Sequence, residues 1–409
     1  MYDLIVIGSG AAGIMAAITA RNNSKKVLLL EQQNKIAPKL KATGGGRCNL
    51  TNTLNNEEFV EHFGKSKRFI NYAIEQFDHN DLISFMDSIG VATHAPDGFR
   101  VFPTTHSSQT IIDGLLAYMQ KIGVELKCGE KAVDIIVSNN KIEKIITTKD
   151  SYSCKNILIA TGGKGYENLG ATAEGFEFAK KLGHTITSLY PAMMPLFVKE
   201  TWVALCTADT VAKVYMQVDI KKYKKLNAIG DLIFTKKGIR GPVVLDFARE
   251  ITPLFDKYDE IPLKMNLIKG KNEDELINFL KDESKKNPQN TVLDHLEKLL
   301  AKSIILELAK IVDIDCEVTY KNLKGSKKFE FIKILCNTPL TIVGHDGFRL
   351  AMITRGGISL KNIDNKTMQS KIVQGLYFAG EIVDIDGPCG GYNLQWAFSS
   401  GALAGMLQK

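Results

Sequence analysis

Long hydrophobic runs are missing from this chain, and so are the cysteine and histidine spacings that hold metals or disulfide frameworks. No apolar stretch approaches the roughly 20 residues that a bilayer-spanning helix needs. The first one, residues 4–7, gives way at once to glycine and is too short for the core of a signal peptide. Seven cysteines, Cys48, Cys128, Cys154, Cys206, Cys316, Cys336 and Cys389, are odd in number, scattered and nowhere spaced as CxxC. That argues against disulfides and zinc and for a reducing compartment, so a cytoplasmic location is expected. The seven histidines form no HxxxH pair, and no structural metal is expected. GxGxxG occurs once, so a second, dedicated nicotinamide domain is lacking.

What is present begins at residues 4–13, LIVIGSGAAG. Leu4, Ile5, Val6 and Ile7 read as a strand buried on both faces of a parallel sheet. Gly8, Gly10 and Gly13 then permit a tight turn, the approach of a pyrophosphate to the backbone, and close packing of the following helix, which starts with Ala11 and Ala12. A second apolar strand, residues 27–30, delivers Glu31 eighteen positions after Gly13, where a carboxylate can bind the hydroxyls of an adenosine ribose. Residues 39–52, KLKATGGGRCNLTN, are too rich in glycine and small polar residues for helix or strand. Their backbone can press against a flat ligand, with Arg47, Asn49, Thr51 and Asn52 as polar contacts.

Helical periodicity is expected over 57–89, ended by Gly90, and again from Ser107 as N-cap to residue 122. Strands are expected at 98–103, 124–127, 132–137 and 142–147, the last two joined by a turn at Asn139 and Asn140. Val133 is a candidate backbone contact for an adenine. Residues 157–163, ILIATGG, form a second apolar strand ending in glycines, where ligands of open α/β sheets bind; a helix over 172–182 follows. From residue 190 the texture becomes that of a separate β domain. Residues 262–335 read as helical and highly charged, with Asn272 as N-cap, before strand character returns at 339–343. Another glycine-ended strand, GLYFAGE at 375–381, leads to DIDGPCGGYNLQWAFSSG at 384–401 and a final helix over 392–407.

At 409 residues, two or three domains are expected. The net charge of +7 is concentrated: between residues 213 and 240 eight basic side chains stand against Asp219 and Asp231, an excess of six. A solvated lysine face and a site for an anionic partner, RNA in particular, both fit this run.

Together GSGAAG, TGGGRCNLTN, IATGG, GLYFAGE and GGYNLQWAFSSG closely resemble the bacterial FAD-dependent oxidoreductases that include a bile-acid ring reductase and a ribosomal-RNA dihydrouridine synthase. The resemblance covers nearly the whole chain. It implies an α/β molecule: a discontinuous Rossmann-like FAD-binding domain (1–190 and 345–409), a β-barrel-like domain (191–261 and 336–344) and an inserted helical domain (262–335). By the same resemblance Gly8, Gly10, Ala11, Ala12 and Gly13 hold the pyrophosphate and Glu31 the ribose. Lys39, Gly45, Gly46, Arg47, Cys48 and Asn49 line the flavin side, and Thr161, Gly162 and Gly163 lie below the cofactor. Gly380 and Glu381 meet the ribityl chain, while Gly391, Tyr392, Asn393 and Leu394 face the isoalloxazine. Two segments depart from the family pattern: FTKKGIRGP replaces a stretch like FTHxGxSGP, and Pro388 and Cys389 stand where an acidic and hydroxyl pair is usual.

The leading expectation is a reductase in which FAD takes a hydride from a transient NAD(P)H donor and delivers it to an activated carbon–carbon double bond. A uracil ring in ribosomal RNA is the expected target, bound through Lys221, Lys222, Lys224 and Lys225, with Tyr223 available to stack. An oxidase or reductase of a small molecule and a flavin-containing RNA assembly factor are the alternatives. Cys48 and Cys389 are both candidate proton donors, with Cys389 preferred.

Overall fold

The computed structural model describes residues 1–323 and 325–408. The chain divides into two compact units, Met1–Tyr190 with the segment from Ile353 onward, and Pro191–Met352.

The first unit is built on a parallel sheet whose strands lie in the order Leu376–Phe378, Ile157–Ile159, Leu4–Ile7, Val27–Glu31, Glu125–Cys128. The first four are buried at every position, as strands with helices on both faces must be. Small residues in two helices let these approach the sheet and each other. A Cβ on Gly13, in the helix Ala11–Asn22, would lie 1.9 Å from the Gly8 carbonyl oxygen. One on Gly401, in the final helix Tyr392–Gly405, would lie 2.2 Å from the Ala12 carbonyl oxygen. Because one strand and this helix come from the C-terminal segment, the unit closes only when both ends of the chain are in place.

Two small antiparallel sheets complete it. In Ala132–Ser138, Lys141–Thr147 and Ser151–Ser153, the turn residues Asn139 and Asn140 both take left-handed φ, +50° and +57°, as a tight hairpin requires. The other joins Thr51–Asn52, Arg100–Pro103 and Thr93–His94. Ser107 caps the helix Ser108–Ile122 through Gln109 N–H. The single helical run expected over 57–89 is instead broken into Asn56–Glu61, Lys67–Gln76 and His79–Ser88. Gly64 turns left-handed at φ +55°, and Asp78 accepts from the backbone of Asn80 and Asp81, starting a new helix where the periodicity suggested continuity.

The second unit is a closed antiparallel barrel: Leu196–Val198, Gly238–Arg240, Asn227–Phe234, Thr210–Val218, Ile261–Asn266 and Thr338–His345, the last pairing with the first. Residues 262–266, expected as the start of the helical block, are therefore strand. Ile261, Leu263 and Met265 point inward while Pro262 and Lys264 are exposed, an alternation too short to stand out beside the charged helices that follow. Those helices are Glu273–Lys286, Val292–Leu296, Lys302–Ile311 and Ser326–Cys336. Asn272 opens the first with a reciprocal capping box to Glu275. Helices and barrel share one hydrophobic core, in which Leu276, Leu280, Ile304 and Leu308 join Leu263, Met265 and Leu340.

Candidate functional site

The helix Ala11–Asn22 begins with neither a side-chain cap nor an acid in its first turn. A helix start leaves about four amides without intrahelical partners, and here they are open to an outside anion. A Cβ on its N-cap, Gly10, would meet nothing within 4 Å, so this side of the turn faces open space. Glu31, 8% exposed, stands at the end of the neighbouring strand. Its Oε2 accepts from Ser9 N (3.0 Å) and Ser9 Oγ (2.5 Å), and its Oε1 accepts from Gln33 N (2.8 Å). The carboxylate is thus aimed before any ligand arrives, with acceptor capacity left for a ribose hydroxyl. These features fit the pyrophosphate and ribose of a dinucleotide cofactor. Sequence reasoning missed Ser9, whose hydroxyl also accepts from Ala37 N at 3.3 Å.

Lys39, Gly163 and Glu381, far apart in sequence, meet at a second cluster. Lys39 Nζ donates to Glu381 Oε2 at 2.7 Å, and Thr354 N donates to Glu381 Oε1 at 2.8 Å. Thr354 Oγ1 in turn accepts from Lys164 N (2.7 Å) and Gly165 N (3.2 Å), the residues just after Thr161, Gly162 and Gly163. Gly163 sits so close that a Cβ there would lie 2.5 Å from Glu381 Oε1. Thr354 has no motif of its own, so only the fold reveals it. Gly380, expected beside the ribityl chain, has both backbone polar groups engaged within the protein. Its N–H donates to Ser400 Oγ (2.9 Å) and its carbonyl accepts from Trp396 Nε1 (3.2 Å), which engages its backbone with the final helix.

The third cluster surrounds the start of that helix, which again has no side-chain cap and no acid in its first turn. Asn49, with its amide oriented to suit its neighbours, accepts from Gly391 N (3.0 Å) and donates to Thr51 O (2.9 Å) and Val101 O (3.2 Å). Three residues beyond the glycine loop of residues 43–46, it ties the strands Thr51–Asn52 and Arg100–Pro103 to the helix start. Gly45 and Gly46 face open space. Asn393 accepts from Gly387 N (2.8 Å) and donates to Gly387 O (2.9 Å), fixing the loop that carries Pro388 and the half-buried Cys389. Tyr392 is buried against Phe59 (ring centroids 5.1 Å apart) and His62 (4.7 Å), while Leu394 is half-buried.

Cys48 is fully buried, and burial pushes its thiol up to about 12, against the lowering effect of a hydrogen bond with Thr43. Asp384, at the start of the Cys389 loop, also has its carboxyl pushed up by burial, against the lowering effects of a Thr187 hydrogen bond and Arg355. Val133, 51% exposed, lies at a bulge where the register between Ala132 and Asp134 shifts, leaving it outside the strand pairing. In the second unit Lys221, Lys222, Lys224 and Lys225 are exposed around a short 3-10 turn, Lys221–Tyr223, with Lys222 Nζ 5.7 Å from the Tyr223 ring centroid. Among the described residues no group of three His, Cys, Asp or Glu side chains could hold a metal ion, and no helix is long and apolar enough to cross a membrane.

Comparison with known proteins gives the family. The chain is 28% identical over 408 residues to a 3-dehydro-bile acid delta(4,6)-reductase of Clostridium scindens, covering 99% of this chain and 98% of that one. It is 29% identical over 400 residues to a ribosomal RNA dihydrouridine synthase of Haemophilus influenzae, covering 97% and 96%. Among solved structures, a 3-ketosteroid delta1-dehydrogenase from Sterolibacterium denitrificans shares the fold over 99% of both chains, with a TM-score of 0.54 at 11% identity. The model of the HI0933-like protein Rossmann domain matches residues 2–407, and the chain belongs to that family.

Proposed function

We propose that this chain reduces a uracil ring in large-subunit ribosomal RNA to dihydrouracil, with NAD(P)H as electron donor, in the cytoplasm. It is an FAD-dependent oxidoreductase. Bound FAD would accept a hydride from the donor and pass it to the substrate. On the protein's side, Gly8, Gly10, Ala11, Ala12 and Gly13 present the helix amides to the pyrophosphate, and Glu31 holds the ribose. Lys39 and Glu381 form the polar wall near the ribityl chain, with Thr161, Gly162 and Gly163 beneath it. The uncapped start of the final helix stabilises an electron-rich edge of the flavin. The uracil double bond is conjugated to a carbonyl, so the hydride forms the C–H bond at the far carbon and a proton completes the near one. Cys389, in the loop fixed by Asn393, supplies that proton and regains one from solvent.

The observation that carries the choice of RNA is the exposed quartet Lys221, Lys222, Lys224 and Lys225 beside Tyr223, a charge pattern suited to a phosphate backbone with a base stacked among it. The nearly equal likeness to the bile-acid reductase favours a second reading, a small conjugated ketone as substrate. Mass analysis of large-subunit ribosomal RNA from cells with and without the gene separates them. Loss of a two-hydrogen mass increment at one uridine on deletion is expected; an unchanged spectrum rejects the RNA substrate.

A further inference from the structure

Beside the glycine loop lies a cationic cluster that the proposed reaction has not used. The Phe102 ring, 5% exposed, is approached by two guanidiniums, Arg47 Cζ at 5.6 Å and Arg100 Cζ at 5.9 Å from its centroid. Both arginines are exposed. The His106 ring lies 6.2 Å from Phe102, and the His94 ring 4.7 Å from His106. His94 Nε2 is buried and, among the described residues, has no hydrogen-bond partner. Lys41 is close by, since its carbonyl accepts from Ser108 Oγ two residues after His106. Asp97 answers this charge, accepting from Arg100 Nε at 2.7 Å.

The cluster is tied to the candidate flavin end of the site on two sides. Asn49 links Val101 O, one residue from Phe102, to Gly391 N. Phe99 lies 3.3 Å from where a Cβ of Gly390 would be, next to Cys389. Since the chain has a single GxGxxG, a second dinucleotide has no second turn of that kind to hold its phosphates, and cationic side chains are the alternative. Guanidiniums bind phosphates with two donors at once and stack on flat rings, and an aromatic ring beneath them keeps them in place.

We propose that Arg47, Arg100 and Phe102, with His94 and His106 at the edge, form the docking site for the phosphate-bearing adenosine half of the nicotinamide donor, with a preference for NADPH. The inference rests on the donor assignment in the proposed function. An additional phosphate on the adenosine ribose matches a site with two guanidiniums better than NADH does.

The test uses the FAD-loaded protein. Calorimetric titration with 2′,5′-ADP, which carries the phosphates without the nicotinamide, should show binding that weakens as salt rises. Arg100→Gln and Arg47→Gln should each weaken it at least tenfold, the size of one charge-assisted contact. In rapid mixing of Arg100→Gln, the NADPH concentration giving half-maximal flavin bleaching should rise by a similar factor, with the limiting rate within about twofold; Arg100→Lys should recover part of the loss. Parental 2′,5′-ADP affinity in both variants overturns the site, as does a parent that binds no 2′,5′-ADP. Loss of flavin from Arg47→Gln, or loss of ribosomal-RNA affinity from Arg100→Gln with 2′,5′-ADP binding intact, also overturns it by assigning the cluster to FAD or to RNA. Intact donor binding with no dihydrouridine formed in cells would refute the RNA substrate and leave the donor site standing.

Discussion

Glu31→Gln tests the proposed ribose contact. Glu31 accepts three hydrogen bonds from Ser9 and Gln33, on both carboxylate oxygens. An amide in its place can accept on one side only, so its NH2 faces either Ser9 N–H or Gln33 N–H, donor against donor. The charge-assisted contact to the ribose is lost at the same time. A hydrogen bond to a charged group contributes about 1.5–3 kcal/mol, which corresponds to roughly a 10- to 150-fold rise in the dissociation constant for FAD. Ser9→Ala removes one of the three bonds and keeps Ser9 N, so about 0.5–1.5 kcal/mol is expected from it alone. Because Ser9 acts on the cofactor only by holding Glu31, the double variant should bind FAD no worse than Glu31→Gln, a coupling that a double-mutant cycle reads directly. Equilibrium dialysis monitored by released flavin fluorescence measures all four proteins, with circular dichroism confirming the fold. An FAD affinity for Glu31→Gln within twofold of the parent, or strict additivity with Ser9→Ala, would refute the assignment of Glu31 to the ribose.

Three further outcomes are expected. Reversal of Lys221, Lys222, Lys224 and Lys225 to glutamate should abolish ribosomal-RNA binding in a filter assay and leave FAD bound; unchanged RNA affinity would return these lysines to a solvated face. Gly401→Ala places a Cβ 2.2 Å from the Ala12 carbonyl oxygen, so the final helix must shift; a loss of about 1–3 kcal/mol in denaturant unfolding is expected, together with weakened FAD binding, and a parental unfolding curve would contradict the packing argument. His184 and His295 are both buried, which lowers their pKa, with an Ala179 backbone contact opposing this at His184 and Lys298 reinforcing it at His295. The unfolded chain therefore takes protons that the folded one refuses. Stability should be full above the ordinary histidine value of about 6.5 and fall as the pH drops below it. His184→Gln should flatten that fall in melts taken between pH 7 and 5, and an unchanged slope would count against it.

How much could be read from the sequence depended on the range of the interaction. Ser107, Asn272 and the Asn139–Asn140 turn act on residues within four positions of themselves, and each forms the local structure its chemistry suggests. The glycine turn and Glu31 are likewise set by one strand–helix–strand unit. Lys39 and Glu381, 342 positions apart, are read as site residues only through family resemblance; their pairing, and Thr354, the donor on the other oxygen of Glu381, are not visible in the sequence at all. The same reasoning explains the misread strand at 261–266. Its inward alternation covers six residues, and what makes it a strand is pairing with Thr210–Val218 and Thr338–His345, a feature of the closed barrel and not of its own composition.

The distinction extends to the glycines that a motif match groups together. Gly10, Gly45 and Gly46 face open space, where a ligand's atoms can take the place of a side chain. Gly380 and Gly391 have their amides engaged by Ser400 and Asn49, and a Cβ on Gly391 would lie 2.4 Å from Thr51 backbone atoms. On the proposed reading the first group acts by being vacant toward the cofactor, and the second by letting two chain segments touch so that the vacancy has the right shape. Substitution should therefore separate them. Gly45→Ala meets no neighbouring atom, so the cofactor-free protein should lose only the roughly 1 kcal/mol that an alanine costs at a left-handed φ of +66°, and the larger effect should appear in FAD retention. Gly391→Ala must displace the strand Thr51–Asn52, so the cofactor-free protein itself should melt earlier. Equal destabilisation of the two cofactor-free variants would show that the open glycines are also structural, and would remove the geometric basis for placing the flavin against the loop of residues 43–46.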